Sequence, residues 1–555
     1  MILAVSFLAI GLVSCKDDSD ENGYMAENVS YDIIFPAGSD KSLEASANAL
    51  KNKIEQIAGV KFNVRDDRVE SGEDVSSKKE ILIGNTDRVE SKALRVKLDG
   101  VNNEKAFAIE ANANKICIIG KNVDITVRAV KYFVNNYVSL SEESGTLTLP
   151  TELSMARSAD TGTTIFPETL TELRFGKKQN VFSSNDIMSE KSYYYPTAVI
   201  LEHQANPADN GKIIATLNSS EHFYSILEST DDGESFKEIT QVYDRVNANC
   251  RGGRMPMLYE LPADMGSYKK GTLVLAGTSS ALTSSSDEKS AIVIYYSADA
   301  GKTWTAGQSI DFGAGRTDGD GIWEPFLIYE QETGRLYCFY SDDRDSEHDQ
   351  KIVYKYTTDL ISWTGAGGVG SDKAPFEAVA SSDYKPRPGM VSITKMSNGE
   401  YIMVYEVGHS KYGDSTATVH FKKSKKLDDW SDVSDIGEQI ISVDGRAFGS
   451  APWCAYTPVG GQNGLFITTG RYRDDRNTDP SEPDLFISFD YGETFVTIEN
   501  PFDYENTDLH LGKFGYSPFL LTAGDGKTIY YFNTSFFKPL NQTQCIEMVK
   551  IEIIP

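Results

Sequence analysis

The chain predicts two architectures in series: a small α/β domain, then an all-β propeller of six blades. Three observations carry this. Two amphipathic helical patterns alternate with apolar strand patterns before Pro150. A box of the form Ser-x-Asp-x-Gly-x-x-aromatic begins at Ser229, Ser297 and Ser488. A proline opens an apolar run at Pro196, Pro256, Pro325, Pro388, Pro452 and Pro518, at intervals of 60, 69, 63, 64 and 66 residues.

Residues 1–27 come first. The segment "MILAVSFLAIGLVSCKDDSDEN" has an apolar run that ends at Val13, too short for a permanent membrane span. It resembles a bacterial lipoprotein signal, with Leu12-Val13-Ser14-Cys15 as the lipobox. The resemblance implies cleavage and lipidation at Cys15. The acidic run that follows resembles the surface-export signal of Bacteroidetes lipoproteins. An outer-membrane lipoprotein, tethered through residues 16–27, is the expectation; a cleaved secretory peptide is the alternative.

Residues 28–150 mix periods of 3.6 and 2. In "DKSLEASANALKNKIEQIAGV", Leu43, Ala47, Leu50, Ile54 and Ile57 fall on one helical face. Asp40 can cap the start and Gly59 the end. A second helix is expected through "DITVRAVKYFVNNYV", with Val127, Val130, Val134 and Tyr137 inward. Between them, "VKFNV", "EILIGN", "FAIEA" and "KICIIG" read as strands. The region resembles the small N-terminal domain of some family 20 hexosaminidases and α-glucuronidases. Asp66, Asp67 and Arg68 read as a solvated turn. Residues 151–172, rich in Thr and Ser, read as a linker.

Residues 173–555 carry the repeat. Shortened boxes at Thr357 and Ser424 fill the gaps, so five boxes start 68, 60, 67 and 64 residues apart. One period shared by boxes and prolines means stacked units of a few strands, and a closed ring of such sheets is a propeller. Asp231, Asp299 and Asp490 are expected to organise hairpins rather than to catalyse.

Composition bounds the function. The formal net charge of −27 argues against nucleic acid as a partner, because that affinity needs Lys and Arg on phosphates. The six cysteines are scattered with no CxxC pair, and His203, His222, His348, His409, His420 and His510 have no metal-ligand spacing. Neither metal nor cofactor is expected; the chain is expected to be a monomer.

Propellers bind ligands at one end of the channel lined by their inner strands. The blade-opening prolines bring Tyr194, Tyr195, Arg254, Glu324, Arg387 and Tyr516 to that channel. Ends of the following strands supply Asn218, Asp342, Glu406, Arg471 and Asn533. Two carboxyls among arginines and tyrosines are what glycoside hydrolysis needs: one protonates the leaving oxygen, the other acts as nucleophile or base. The bland alternatives are a structural Glu324–Arg387 ion pair and a solvated strand-end Glu406. Trp323 either stacks on a sugar or packs between blades. Arg254, Arg387 and Arg471 either bind a substrate carboxylate or neutralise the glutamates. Asp342 is a candidate substrate contact in the turn Asp342-Asp343-Arg344.

The stretches "GIWEPFLIY", "GRLYCFYSDDRD", "DQKIVYKYTTDLISW" and "RPGMVSITKMSNGEYIMVYE" resemble, in order and spacing, the core of glycoside hydrolase family 93. The resemblance covers about residues 190–540. It implies a six-bladed sialidase-like propeller with Asp-boxes and an exo-acting, retaining α-L-arabinanase activity. It also implies Glu324 and Glu406 as the catalytic pair; our assignment is Glu324 as nucleophile and Glu406 as acid/base. An exo-sialidase is the competing reading, weakened because Tyr194 stands where sialidases open the first blade with Arg. A non-catalytic glycan-binding lipoprotein is the third.

Overall fold

The computed structural model describes residues 24–26, 31–140, 145–183, 193–218, 223–244, 250–281, 290–313, 321–365, 368–369, 375–381, 386–408, 417–443, 445–471, 484–502, 515–537 and 543–555. Cys15 and its lipobox, with His222, His409 and His510, lie outside them. The chain forms two compact units, Met1–Leu170 and Thr171–Pro555.

In the first unit, parallel strands Asn63–Asp66, Asp32–Phe35, Glu80–Ile83 and Lys115–Gly120 lie side by side in that order. Ala106–Ala111 and Leu153–Ser158 extend the sheet antiparallel. Alternate residues of each strand face opposite sides. Ile33, Ile81 and Ile118 pack on helices α1 (Lys41–Ala58) and α3 (Val123–Tyr137). Ile34, Leu82, Cys117 and Ile119 pack on α2 (Val89–Gly100), through Leu94 and Leu98. Helix α1 begins and ends as its sequence dictates: Asp40 accepts from Ser42 N, and Gly59 closes it in the left-handed region.

Four expectations are corrected here. The buried face of α3 is Ile125, Ala129, Val130 and Phe133, while Val127, Val134 and Tyr137 sit at its margin. The margin is apolar too, which blurred the stripe. Helix α2 escaped notice because charged residues interrupt its short apolar face. Asp67 is not solvated: it is buried and accepts from the amides of Ala37 and Asp87. The Thr/Ser-rich stretch read as a linker is largely strand, with Ala156, Ser158 and Ile165 buried.

The second unit is an all-β propeller. Five separate antiparallel sheets follow one another, opening on the strands Tyr194–Ile200, Cys250–Glu260, Ile322–Glu330, Arg387–Lys395 and Trp453–Thr457. The strands Phe519–Thr522, Thr528–Phe537 and Thr543–Ile554 pair in sequence, and Thr171–Phe175 and Gln179–Ser183 both pair with the last of them. Each opening strand touches the next, and Phe519–Thr522 touches Tyr194–Ile200, so these strands enclose a channel.

The boxed aspartates sit in the hairpins. Asp231 accepts from Ser229 Oγ at 2.8 Å and from the amide and hydroxyl of Ser235 at 3.0 and 2.6 Å. Asp299 and Asp490 repeat the arrangement with Thr303 and Thr494. These bonds hold all three carboxyls below their usual range, Asp231 chiefly through Ser235, Asp299 and Asp490 against the opposing effect of burial.

Candidate active site

Four of the inner strands carry one extra residue at the same place. Between Tyr194 and Thr197, Arg254 and Met257, Trp323 and Phe326, and Gly389 and Ser392, two residues oppose one on the neighbouring strand. The first extra residue has positive φ: Tyr195 at 53°, Met255 at 48°, Glu324 at 62° and Met390 at 52°. Ala451 and Ser517, at 48° and 57°, precede Pro452 and Pro518 in the same way. Such a bulge bends the strand and re-aims a side chain, and the residue after it tolerates proline because its ladder bond is already lost. That is why prolines mark the period.

The bulge corrects the sequence register in two places. In the fourth sheet the equivalent of the blade-opening proline is Val391, not Pro388, so the residue aligned with Glu324 is Met390 and Arg387 lies three residues earlier. On the second strands, the residue opposite Trp323 is Ser341, not Asp342. Asp342 is buried and bound by Arg344, at 2.8 Å to Nε and 2.6 Å to Nη2. Asn533 likewise lies fully buried, donating to the Tyr531 hydroxyl.

Across the bulges runs a repeated bond. The side chain on the second strand of one sheet accepts the bulge amide of the next. Asn218 takes Met255 N at 3.0 Å, Thr278 takes Glu324 N at 3.2 Å, and Ser341 takes Met390 N at 3.3 Å. Glu406 Oε2 takes Ala451 N at 2.6 Å. Glu406 therefore fills a seat that elsewhere holds a neutral acceptor.

Glu324 is held from three sides. Tyr195 Oη donates to Oε1 at 2.7 Å; Ser341 Oγ and Met390 N donate to Oε2 at 3.0 and 3.1 Å. Burial, and then the charge of Glu406, push its carboxyl up to about 7 despite those donors. Burial raises Glu406 as well, opposed by the Ala451 amide, Ser450, Arg387 and Arg471. The two carboxyls thus sense one another, and both are only partly open to solvent.

Arg387 does not pair with Glu324. Its Nη2 donates to Asp343 at 3.1 Å and to Gln350 Oε1 at 2.7 Å. Asp343 also accepts the Trp323 indole N–H at 3.0 Å, so one buried carboxylate orients both. Burial raises Asp343 above the usual range, against the pull of Trp323 and Arg387. The Arg471 guanidinium lies 5.1 Å from the centre of the Tyr516 ring. Tyr516 meets Tyr195 and Tyr194 edge-on at 5.4 and 5.8 Å. Arg254 sits half-buried one residue before its bulge. Ser341, Asp343 and Gln350 were not picked out as site residues; only knowledge of the bulge places Ser341 there.

A cavity of about 30 Å³ lies on the channel, lined by Tyr195, Met255, Glu324, Met390, Ser517 and the neighbouring prolines. Trp453 and Met257 line both this cavity and a second of about 410 Å³ that reaches the other ends of the inner strands. The Trp453 ring is wedged between Phe326 and Phe519, at 5.5 and 4.7 Å.

No protein-family model and no curated protein matches the chain. Solved structures do. The α-L-arabinanase of Penicillium chrysogenum, complexed with arabinobiose, is 28% identical with a TM-score of 0.55, covering 67% of this chain and 98% of its own. The family 93 α-L-arabinofuranosidase of Fusarium graminearum, also with arabinobiose, is 25% identical with a TM-score of 0.56, covering 68% and 98%. The chain is thus similar to family 93 arabinan-degrading glycoside hydrolases over nearly their whole length.

Proposed function

We propose that the chain is an exo-acting glycoside hydrolase whose substrate is arabinan or a related plant-type polysaccharide, with Glu324 and Glu406 as its catalytic pair. One observation carries this: two carboxyls, one on the inner strand of the third sheet and one on the second strand of the fourth, lie closely enough that the charge of one raises the other. The similarity to two arabinobiose-binding hydrolases supports the substrate class.

Hydrolysis with retention follows if the carboxyls stand about 5 Å apart. One attacks the anomeric carbon while the other protonates the departing oxygen. The second then takes a proton from water, whose oxygen bonds to the anomeric carbon as the bond to the first carboxylate breaks, releasing the sugar. The resting proton belongs on Glu324, since Arg387 and Arg471 favour an ionised Glu406. Glu324 is then the acid/base and Glu406 the nucleophile, the reverse of the order assigned from the sequence. Trp323, with Arg387 held beside it, offers a face to the sugar.

In this reading, Phe519–Ile554 with Thr171–Ser183 is the sixth blade, and the three hairpin aspartates are Asp-boxes. The chain is a monomer, anchored by lipid at Cys15 to the outer membrane and exposed at the surface. The sialidase reading lacks support, because Arg387 is engaged by Asp343 and Gln350 rather than turned with Arg254 and Arg471 onto a common anion.

The test uses linear arabinan and an aryl α-L-arabinofuranoside. Glu324→Gln and Glu406→Gln should each lower kcat by about a thousandfold or more with folding intact. NMR of the first product should show the retained anomer. Azide should rescue Glu324→Ala with retained configuration, and Glu406→Ala with inverted configuration. Wild-type turnover in both Gln variants would leave only a glycan-binding protein.

A further inference from the structure

Two hydroxyls in the axial cavity have no partner within the protein: Thr197 Oγ1 and Ser517 Oγ. Both residues are more than nine-tenths buried, at 4% and 6% exposure. Both line the cavity that Glu324 and Tyr195 also line. The remainder of its wall is Met255, Met257, Met390, Val391, Trp453 and prolines, whose side chains bond neither hydroxyl. A buried hydroxyl without a hydrogen bond is costly, so two facing one space mark a polar site in an otherwise apolar wall.

We propose that this cavity is a binding site for internal water, held by Thr197 and Ser517 against the Glu324 carboxyl. The space suits one or two molecules, which need a polar wall and two or more partners each. Thr197 and Ser517 each offer a donor and acceptors. The carboxylate of Glu324 has about four acceptor sites, of which Tyr195, Ser341 and Met390 fill three. Water seated here meets Glu324 within the space that Thr197 and Ser517 also line. It serves as a fixed dipole that steadies the carboxylate form. Thr197 and Ser517 are thus positioning residues that act on Glu324 through solvent.

The inference rests on Glu324 carrying the proton of the catalytic pair. The experiment combines a high-resolution crystal structure with the pH profile of kcat/KM for wild type, Thr197→Val, Ser517→Ala and Thr197→Ser. Ordered density within hydrogen-bond distance of Thr197 Oγ1 and Ser517 Oγ is expected in the wild type. It should be lost from Thr197→Val. Drying the cavity desolvates Glu324 further, so the basic limb of that variant should move up by about half a pH unit. Thr197→Ser, which restores the hydroxyl, should return the limb to its wild-type place, which a purely structural role would not do. A wild-type cavity without density, or a limb unmoved in both Thr197→Val and Ser517→Ala, overturns the proposal. Failure of the underlying reading is seen separately, as full turnover by Glu324→Gln.

Discussion

Tyr195 and Glu324, 129 residues apart in the chain, meet through one hydrogen bond: the phenol donates to Oε1 at 2.7 Å. Both stand at the bulge of their strands, and both have positive φ. The phenol is itself buried and held well above its usual pKa by burial and by Glu324, so it stays a donor at every working pH. Tyr195→Phe removes a bond that favours the carboxylate. Activity should fall about tenfold to a hundredfold, and the basic limb of the pH profile should move upward. A limb that moved downward would contradict this role.

Glu324 is a liability to the fold. Its carboxyl, raised to about 7, ionises less readily folded than unfolded. Stability is therefore lost as pH rises from the ordinary carboxylate range to about 7, and the penalty is complete above that. Glu324→Gln removes the penalty. The variant should gain about 2 kcal/mol over the wild type at pH 8 and nothing at pH 4, read from denaturant unfolding at both values.

Glu406 has a structural duty that its charge hides. Its Oε2 accepts the Ala451 amide, as Asn218, Thr278 and Ser341 accept theirs. Gln can still accept; Ala cannot. Glu406→Gln should therefore leave the thermal midpoint nearly unchanged. Glu406→Ala should lose about 1–3 kcal/mol from the stranded amide. Equal midpoints would mean the bond contributes nothing.

Asp343 touches no reacting atom in this scheme, yet holds Trp323 and Arg387 together. Asp343→Asn keeps one acceptor oxygen for two donors. KM for arabinan should rise about tenfold, with kcat less affected. Because Trp323 depends on it, the loss in Asp343→Asn/Trp323→Phe should fall short of the sum of the single losses.

The sequence made the period, the propeller class and Glu324 legible, because boxes and prolines recur wherever the backbone must turn or bulge. Glu406 was legible as a channel residue from its strand-end position in the repeat, and its pairing with Glu324 from the family resemblance. What escaped was register. One extra residue in each of four inner strands shifts the pairing beyond it, so that Ser341 stands where the repeat alone puts Asp342, and Val391 where it puts Pro388. In the first unit, α2 has no clear sequence signature because five charged residues and a glycine dilute a face of only Ser91, Leu94 and Leu98. Asp67 was misjudged because its partners, Ala37 and Asp87, are distant in sequence.

The recurrence of the bulge has a consequence for how this scaffold changes chemistry. Tyr195, Met255, Glu324, Met390, Ala451 and Ser517 share one backbone geometry, and five of the six line one cavity. The backbone strain is the same whichever side chain is present. A reactive group is thus assigned to a seat, not built by a unique loop. Exchanging occupants between seats, such as Glu at 255 with Met at 324, rotates the chemistry about the axis while leaving the framework in place. A propeller of this kind can acquire a new substrate orientation by permutation rather than by remodelling.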